Sequence, residues 1–216
     1  MSTIDITWLG HSCFSIKGRD ATLITDPYGD SIGYALGTPA ANIVTSSHAH
    51  PGHGFTTGVE GNPKVIHGPG EYEVCGVLIR GISTFHDAEG GAARGKNTAY
   101  VIEMDEVVVC HLGDLGHALS SAQVEEMSGA EVLMVPVGGV STIDASAAAE
   151  TVRVLQPRVV IPMHFHTPAL RFALDPVDGF LKEMGVKADV PPQQRLSLTR
   201  SGLPEETRVV LLDYRG

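Results

Sequence analysis

Short apolar segments separated by turn residues run through the first half of the chain. They occupy residues 4–9, 13–17, 21–25, 43–46, 64–67, 77–82, 98–104 and 107–112. Short runs rich in β-branched and aromatic residues, bounded by glycine and polar clusters, are typical of β-strands. Only the acidic pair Asp105 and Glu106 separates the last two segments, which predicts a β-hairpin at this point.

The second half of the chain alternates between helical and buried-strand patterns. The predicted helices are 120–127, with Ser121 as candidate N-cap, the alanine-rich 145–155, stopped by Pro157, and 178–184, closed by Gly185. Continuous apolar runs at 132–137 and 159–163 predict strands that are buried on both faces, and 208–212 predicts a last strand.

This order of elements predicts an α/β (α+β) fold. Two packed mixed β-sheets with helices on their outer faces, a four-layer αβ/βα sandwich, would bury all of the apolar segments. The chain contains no internal repeat, low-complexity tract or dividing linker, so we expect residues 1–216 to form a single domain. The glycine-rich stretch 89–95 predicts a mobile loop rather than a hinge.

Composition restricts the setting and the partners of the protein. The 216 residues are 43% hydrophobic and 19% charged, as in ordinary globular proteins. Because the N-terminal segment lacks a signal-peptide pattern and no apolar run reaches the roughly 20 residues of a membrane span, we expect a cytoplasmic protein that does not enter a membrane. The net charge of −10 argues against nucleic acid as a partner. It still allows an anionic small-molecule substrate, because bound cations reverse the local charge.

The three cysteines indicate reduced thiols rather than a disulfide framework. Cys13, Cys75 and Cys110 are odd in number, widely spaced and free of any C-x-x-C pattern. We therefore expect them to be buried packing residues.

Three of the ten histidines fall within residues 48–53. This segment follows the predicted strand 43–46, at the carboxyl end where α/β sites gather. Residues two apart on an extended chain point the same way, so His48 and His50 can converge on one ion, while the turn after them can aim His53 nearby. Imidazole is a favoured ligand of zinc. Taken alone, the segment also allows a surface loop with incidental histidines.

Five stretches in this order resemble the metallo-β-lactamase superfamily over nearly the whole chain. The segment 48–53 is similar to its signature loop H-x-H-x-D-H. Asp26 in Leu-Ile-Thr-Asp-Pro resembles an early aspartate that braces this loop. His86 in Ser-Thr-Phe-His-Asp and Asp114 in His-Leu-Gly-Asp resemble an isolated histidine ligand and a metal-bridging aspartate. His164 in Val-Ile-Pro-Met-His resembles the final histidine. The stretches Trp-Leu-Gly-His-Ser and Ile-Pro-x-His are most similar to the ascorbate-6-phosphate lactonase-like branch.

The resemblance implies a zinc site with one or two ions, for which manganese, iron or nickel are alternatives. One ion would be held by His48, His50 and His86, and a second by His53 and His164. Asp114 would serve both ions and the reaction itself. Three protein ligands plus water is the pattern of a catalytic zinc site, which keeps one coordination position open.

Gly52 stands where the family's loop carries an aspartate that binds the second metal. Its absence leaves three outcomes open: a single metal in an active hydrolase, two metals with another acid supplying the missing oxygen, or metal binding without catalysis. One carboxylate fewer also leaves the pocket more positive, which favours an anionic substrate.

Four further histidines are candidates for supporting roles. His11, on the loop after the first strand, and His166, two residues beyond His164, are predicted to contribute to catalysis, with structural or surface roles as the alternatives. His117 either orients a ligand or is structural, and we expect His111 to be structural.

The leading functional hypothesis is a metal-dependent hydrolase that uses a metal-bound hydroxide on an ester, lactone or phosphoester. The alternative is a non-catalytic metal-binding or ligand-binding protein of the same fold, because of Gly52. A nuclease of this superfamily is disfavoured by the acidic charge balance.

Overall fold

Two mixed β-sheets pack face to face in the computed structural model, which describes residues 2–187 and 190–214. The strands are β1 (Ile4–Gly10), β2 (Cys13–Lys17), β3 (Thr22–Thr25), β4 (Ile43–Ser46), β5 (Lys64–His67), β6 (Gly70–Val74), β7 (Val77–Phe85), β8 (Lys96–Met104), β9 (Val107–His111), β10 (Val132–Pro136), β11 (Val159–Met163), β12 (Leu196–Leu198) and β13 (Arg208–Val209). The α-helices are α1 (Ser121–Met127), α2 (Ala145–Leu155) and α3 (Asp178–Glu183). Short 3-10 helices occupy Asp30–Ile32, Thr56–Gly58 and Arg200–Gly202.

Each sheet joins an antiparallel part to a parallel part. The first has the order β12-β1-β2-β3-β4-β5 and becomes parallel from β3 onward. The second has the order β13-β11-β10-β9-β8-β7-β6, parallel from β13 to β9 and antiparallel from there to β6. The prediction of two packed mixed sheets is confirmed.

Alternating side chains of the first sheet enter two different cores. Ile16 and Leu23 lie in the main core between the sheets, which extends to buried residues of α2 and α3. Cys13, Ile24 and Val44 face the other way and pack with tyrosines and leucines of the connecting segments in a second core. Strands β2, β3 and β4 are therefore packed on both faces, which holds their ends in place.

Turn residues define the hairpins of the second sheet. Asp105 and Glu106 both have positive φ, 49° and 67°, so the predicted hairpin between β8 and β9 is confirmed. Cys75 and Gly76 form a similar turn between β6 and β7, with φ of 51° and 74°. Cys75 is exposed there, so the expectation that it is buried is wrong, whereas Cys13 and Cys110 are buried and all three thiols are free.

Several boundaries differ from the predicted ones. The exposed edge strand β6 and the three-residue β12 were not predicted, because the apolar alternation in each covers only three residues. The last strand ends at Val209, and Leu212 forms an isolated bridge with Gln193. The cap of α1 is Ser120, which forms a capping box with Gln123, and not Ser121. In the part of the chain that the structure describes, no helix is long and apolar enough to cross a bilayer.

Candidate metal centre

The candidate ligands sit where strands of both sheets end at the same edge of the sandwich. His48 follows β4 closely, His86 follows β7 and His164 follows β11. Asp114 lies three residues beyond β9, and His11 follows β1. Because the strand ends are fixed by their ladders, side chains from distant parts of the sequence are held close together.

Asp114 is the centre of this cluster. Its Oδ2 atom lies 3.0 Å from His53 Nε2, 3.2 Å from His86 Nε2 and 4.0 Å from His48 Nε2. Its Oδ1 atom lies 3.4 Å from His164 Nε2. Four imidazoles from three separate stretches of chain therefore surround one carboxylate, which is 2% exposed.

His50 occupies the open side of the cluster. Its ring is exposed, and its Nδ1 atom accepts a hydrogen bond of 3.1 Å from the backbone N–H of Gly52. Its ligand atom lies within 4.8 Å of those of His48 and His53. The structure thus brings together His48, His50, His53, His86, Asp114 and His164, and their role as ligands stays a prediction.

Asp26 anchors the loop of residues 48–53 through hydrogen bonds to Ser47 and His53. Its Oδ1 atom accepts the backbone N–H of Ser47 at 2.7 Å, and its Oδ2 atom accepts the Ser47 hydroxyl at 2.6 Å. Oδ2 also lies 2.9 Å from His53 Nδ1, which directs His53 Nε2 toward Asp114. Ser47 Oγ in turn lies 3.0 Å from His48 Nδ1, so the Nε2 atom of His48 faces Asp114. These contacts match the bracing role that the resemblance implied for Asp26.

The cluster contains buried polar atoms that suit a metal ion. His48 Nε2, Asp114 Oδ1 and the Nδ1 atoms of His86 and His164 are buried and have no hydrogen-bond partner among the described residues. Leaving such atoms unsatisfied costs about 1–3 kcal/mol each. Nitrogen and carboxylate donors are those that zinc takes in proteins, so the residues fit a zinc-type ion.

The electrostatics of the cluster hold Asp114 and His48 in the forms that bind metals. Burial alone raises the pKa of Asp114, but the imidazoles of His164 and His53 outweigh burial and hold that pKa well below its usual range. Burial, with a contribution from His53, lowers the pKa of His48 to about 4. The cluster therefore presents an ionised carboxylate and, at His48, a neutral imidazole, which are the metal-binding forms.

Asn97 and Ser47 are positioning residues that the sequence did not reveal. The buried Asn97 accepts the backbone N–H of Asp114 at 2.9 Å and donates to Thr84 Oγ1 and to the carbonyl of Leu112. It thereby ties the loop that carries Leu112 and Asp114 to β7. An asparagine at the start of a strand gives no sequence signal, whereas Ser47 could have been noticed because it precedes His48.

His111 and His117 support the cluster through the backbone. The buried His111 ring donates from Nε2 to the Ser12 carbonyl at 2.8 Å and accepts the Gly113 N–H at 3.2 Å, so it links the residues next to His11 and Asp114. His117 Nε2 accepts the N–H of Phe85 at 3.1 Å, directly before His86. The structural role expected for His111 agrees with these contacts.

The two predicted catalytic histidines lie in different surroundings. His11 is buried against the rings of His53 and His164, with centroid distances of 4.8 and 4.2 Å. His166 is exposed and lines another pocket, together with Trp8 and Pro192. The described contacts do not bring His166 to Asp114, and its catalytic role stays a prediction.

The glycine-rich loop after His86 is organised around one carboxylate. Asp87 accepts the backbone N–H groups of Glu89, Gly91, Ala93 and Arg94 at 2.6–3.0 Å. These N–H groups, with that of Arg94 foremost, lower the pKa of Asp87 to about 2. The loop closes where His86 N–H donates to the carbonyl of Gly95 at 3.0 Å. The stretch that the sequence predicted to be mobile is thus fastened to the residue next to a candidate ligand.

We expect Asp87→Asn to loosen this loop, because an amide cannot accept all four N–H groups. Trypsin should cleave after Arg94 at least several-fold faster in the variant, as followed by mass spectrometry of the native protein. The exposed Asp20→Asn should leave the rate unchanged. Equal cleavage of Asp87→Asn and wild type would show that these hydrogen bonds do not order the loop.

Comparisons with known proteins agree with this arrangement. A family model described as a beta-lactamase superfamily domain matches residues 5–164. A protein of Thermococcus onnurineus named UPF0173 metal-dependent hydrolase is 32% identical, over 87% of this chain and 95% of the relative. The crystal structure of a proposed Zn-dependent hydrolase of the metallo-beta-lactamase superfamily from Thermotoga maritima is 41% identical, with a TM-score of 0.80 over 98% of this chain and 100% of that one. A metallo hydrolase of Ignicoccus hospitalis, 22% identical with a TM-score of 0.66 over 91% of this chain and 98% of that one, shares the fold.

Proposed function

Because the chain belongs to the beta-lactamase superfamily, we propose that it is a metal-dependent hydrolase acting on an ester, lactone or phosphoester bond of a small molecule. The observation that carries this proposal is the buried carboxylate of Asp114 within 3.0–4.0 Å of four imidazole nitrogens. Two relatives that this chain matches over nearly their whole length are named metal-dependent hydrolases. Zinc is the metal we propose, with manganese, iron or nickel as alternatives.

His48, His86 and Asp114 would hold the metal, since their ligand atoms lie within 4.8 Å of one another. A bound metal of this kind lowers the pKa of a coordinated water toward neutrality and polarises the oxygen of a substrate. The exposed ring of His50 marks the side from which a substrate would approach. Asp26, Ser47 and Asn97 keep these groups in fixed positions, which catalysis by orientation requires.

We further propose that the substrate is anionic. A pocket of about 490 Å³ reaches His48 and is also lined by His67 and the exposed Lys96. A lysine beside a pocket in a protein of net charge −10 would favour a carboxylate or phosphate group. The resemblance of Trp-Leu-Gly-His-Ser and Ile-Pro-x-His to the ascorbate-6-phosphate lactonase-like branch also supports an anionic substrate. We also propose a cytoplasmic location and no nucleic-acid partner.

Gly52 favours a second candidate, a metal-binding protein that does not catalyse. One panel of neutral and anionic lactones, carboxylic esters and phosphodiesters, tested with zinc-, manganese-, iron- and nickel-loaded protein, separates the two. We expect turnover that a chelator abolishes and that His48→Ala lowers by more than about 100-fold, whereas the exposed Asp20→Asn, outside the cluster and this pocket, leaves it unchanged. Metal-loaded protein that is inactive on the whole panel would favour the non-catalytic candidate.

A further inference from the structure

Gly52 lies next to the imidazole of His11. A Cβ atom built on Gly52 would lie 3.5 Å from His11 Nε2 and 3.2 Å from His50 Nδ1. The backbone of Gly52 is not in the left-handed region, so a side chain there would extend between these two rings. The glycine therefore leaves His11 and His50 as the polar side chains on this side of the cluster, and His11 is the buried one of the two.

His11 already stands at ligand distance from two other imidazoles. The ligand atoms of His11, His53 and His164 lie within 4.8 Å of one another, and all three residues are buried. Both His11 Nδ1 and His164 Nδ1 are buried without a hydrogen-bond partner among the described residues. Three buried imidazoles at this spacing, two of them with an unsatisfied nitrogen, suit a cation better than a packed apolar contact.

Asp114 connects this group to the first one. Its Oδ2 atom faces His53 and His86, whereas its Oδ1 atom faces His164 and has no hydrogen-bond partner. Oδ2 thus lies near imidazoles of both groups, His53 and His86, and Oδ1 lies near His164, so the carboxylate is within reach of both groups.

We propose that His11, His53 and His164, together with Asp114, would hold a second metal ion, and that His11 supplies the ligand that position 52 lacks. This inference rests on the proposed function, since it adds a second ion to the same centre. It goes beyond the catalytic role predicted for His11, because it makes that side chain a metal ligand.

The backbone of His11 makes hydrogen bonds that do not involve its imidazole ring. Its carbonyl accepts Trp8 Nε1–H at 2.9 Å and His164 N–H at 3.2 Å. Its φ of 54° is a left-handed conformation, which asparagine tolerates better than most residues. His11→Asn therefore removes the imidazole and keeps both backbone contacts, and circular dichroism can verify that the variant folds.

The test is the metal content of chelator-treated protein reloaded with zinc or cobalt, desalted and measured by inductively coupled plasma mass spectrometry. We expect two ions per chain in the wild type and in His67→Ala, and one in His11→Asn, with a changed cobalt absorption spectrum. Two tightly held ions in His11→Asn would overturn His11 as a ligand, and a single ion in the wild type would overturn the second site; neither result would overturn the proposed function. Protein that takes up no ion would overturn the proposed function as well.

A double variant tests the link to position 52. His11→Asn with Gly52→Asp places a carboxylate beside position 11, and the exposed ring of His50, 3.2 Å from the new Cβ, has to shift slightly. We expect this variant to regain the second ion, and a count that stays at one would overturn the pairing of the two positions. Should His11→Asn fail to fold, anomalous scattering from crystals of the metal-loaded wild type decides: a peak bonded to His11 supports the site, and a second ion away from His11 overturns it.

Discussion

Replacing Asp114 with asparagine is expected to have the largest effect of any single substitution, because both oxygens of this carboxylate face candidate ligands. An amide carries no charge and offers one acceptor in place of two. We expect zinc affinity to fall by more than the roughly 10–100-fold that loss of an outer-shell partner costs, and any hydrolysis to disappear. Competition of the protein with a coloured zinc chelator measures the affinity.

The control for this variant is the exposed Asp20→Asn, which removes the same charge from the surface and should bind zinc as the wild type does. If Asp114→Asn bound zinc with unchanged affinity, Asp114 would not be a ligand. The imidazoles around it would then require another explanation, such as a network of histidine–carboxylate hydrogen bonds.

Replacing Asp26 with asparagine is expected to have the second-largest effect, because this fully buried carboxylate accepts the Ser47 N–H, the Ser47 hydroxyl and His53 Nδ1. Breaking a buried ionic contact while leaving its partner in place costs about 3 kcal/mol or more. We expect a loss of that size in the free energy of unfolding, measured by urea denaturation of metal-free protein. Zinc affinity should fall by about 10–100-fold, since Asp26 orients His53.

Ser47→Ala is the matched variant for this prediction. It removes one of the contacts to Asp26 and keeps the carboxylate, so it should cost about 1 kcal/mol. Two variants that lost equal stability would show that the hydroxyl, and not the charge of Asp26, carries the interaction.

The sequence was most informative where metal-binding residue types occur at a spacing that brings their side chains to the same side of the chain. His48 and His50 lie two residues apart at the end of a predicted strand, and the structure places their ligand atoms within 4.8 Å of each other. The buried strands β10 and β11 appear as continuous apolar runs, which few other elements produce. Edge strand β6 lacks such a signal because its residues are mostly exposed or half-buried.

Contacts between distant residues could not be predicted in the same way. Asn97 fixes Asp114, 17 residues away, through hydrogen bonds that depend on the register of β8 with β7 and β9. The position of His11 beside Gly52 likewise depends on how β1 and β4 are placed in the first sheet. Neither relation leaves a local pattern in the chain, since each arises only when the sheets form.

The central claim is that imidazoles from separate strand ends share a metal ion with Asp114. Elemental analysis of protein purified without added metal tests this claim most directly. We predict at least one transition-metal ion per chain, removed by a strong chelator, restored by zinc and absent from Asp114→Asn. Wild-type protein that contains no such metal and takes up none from zinc solutions would contradict it.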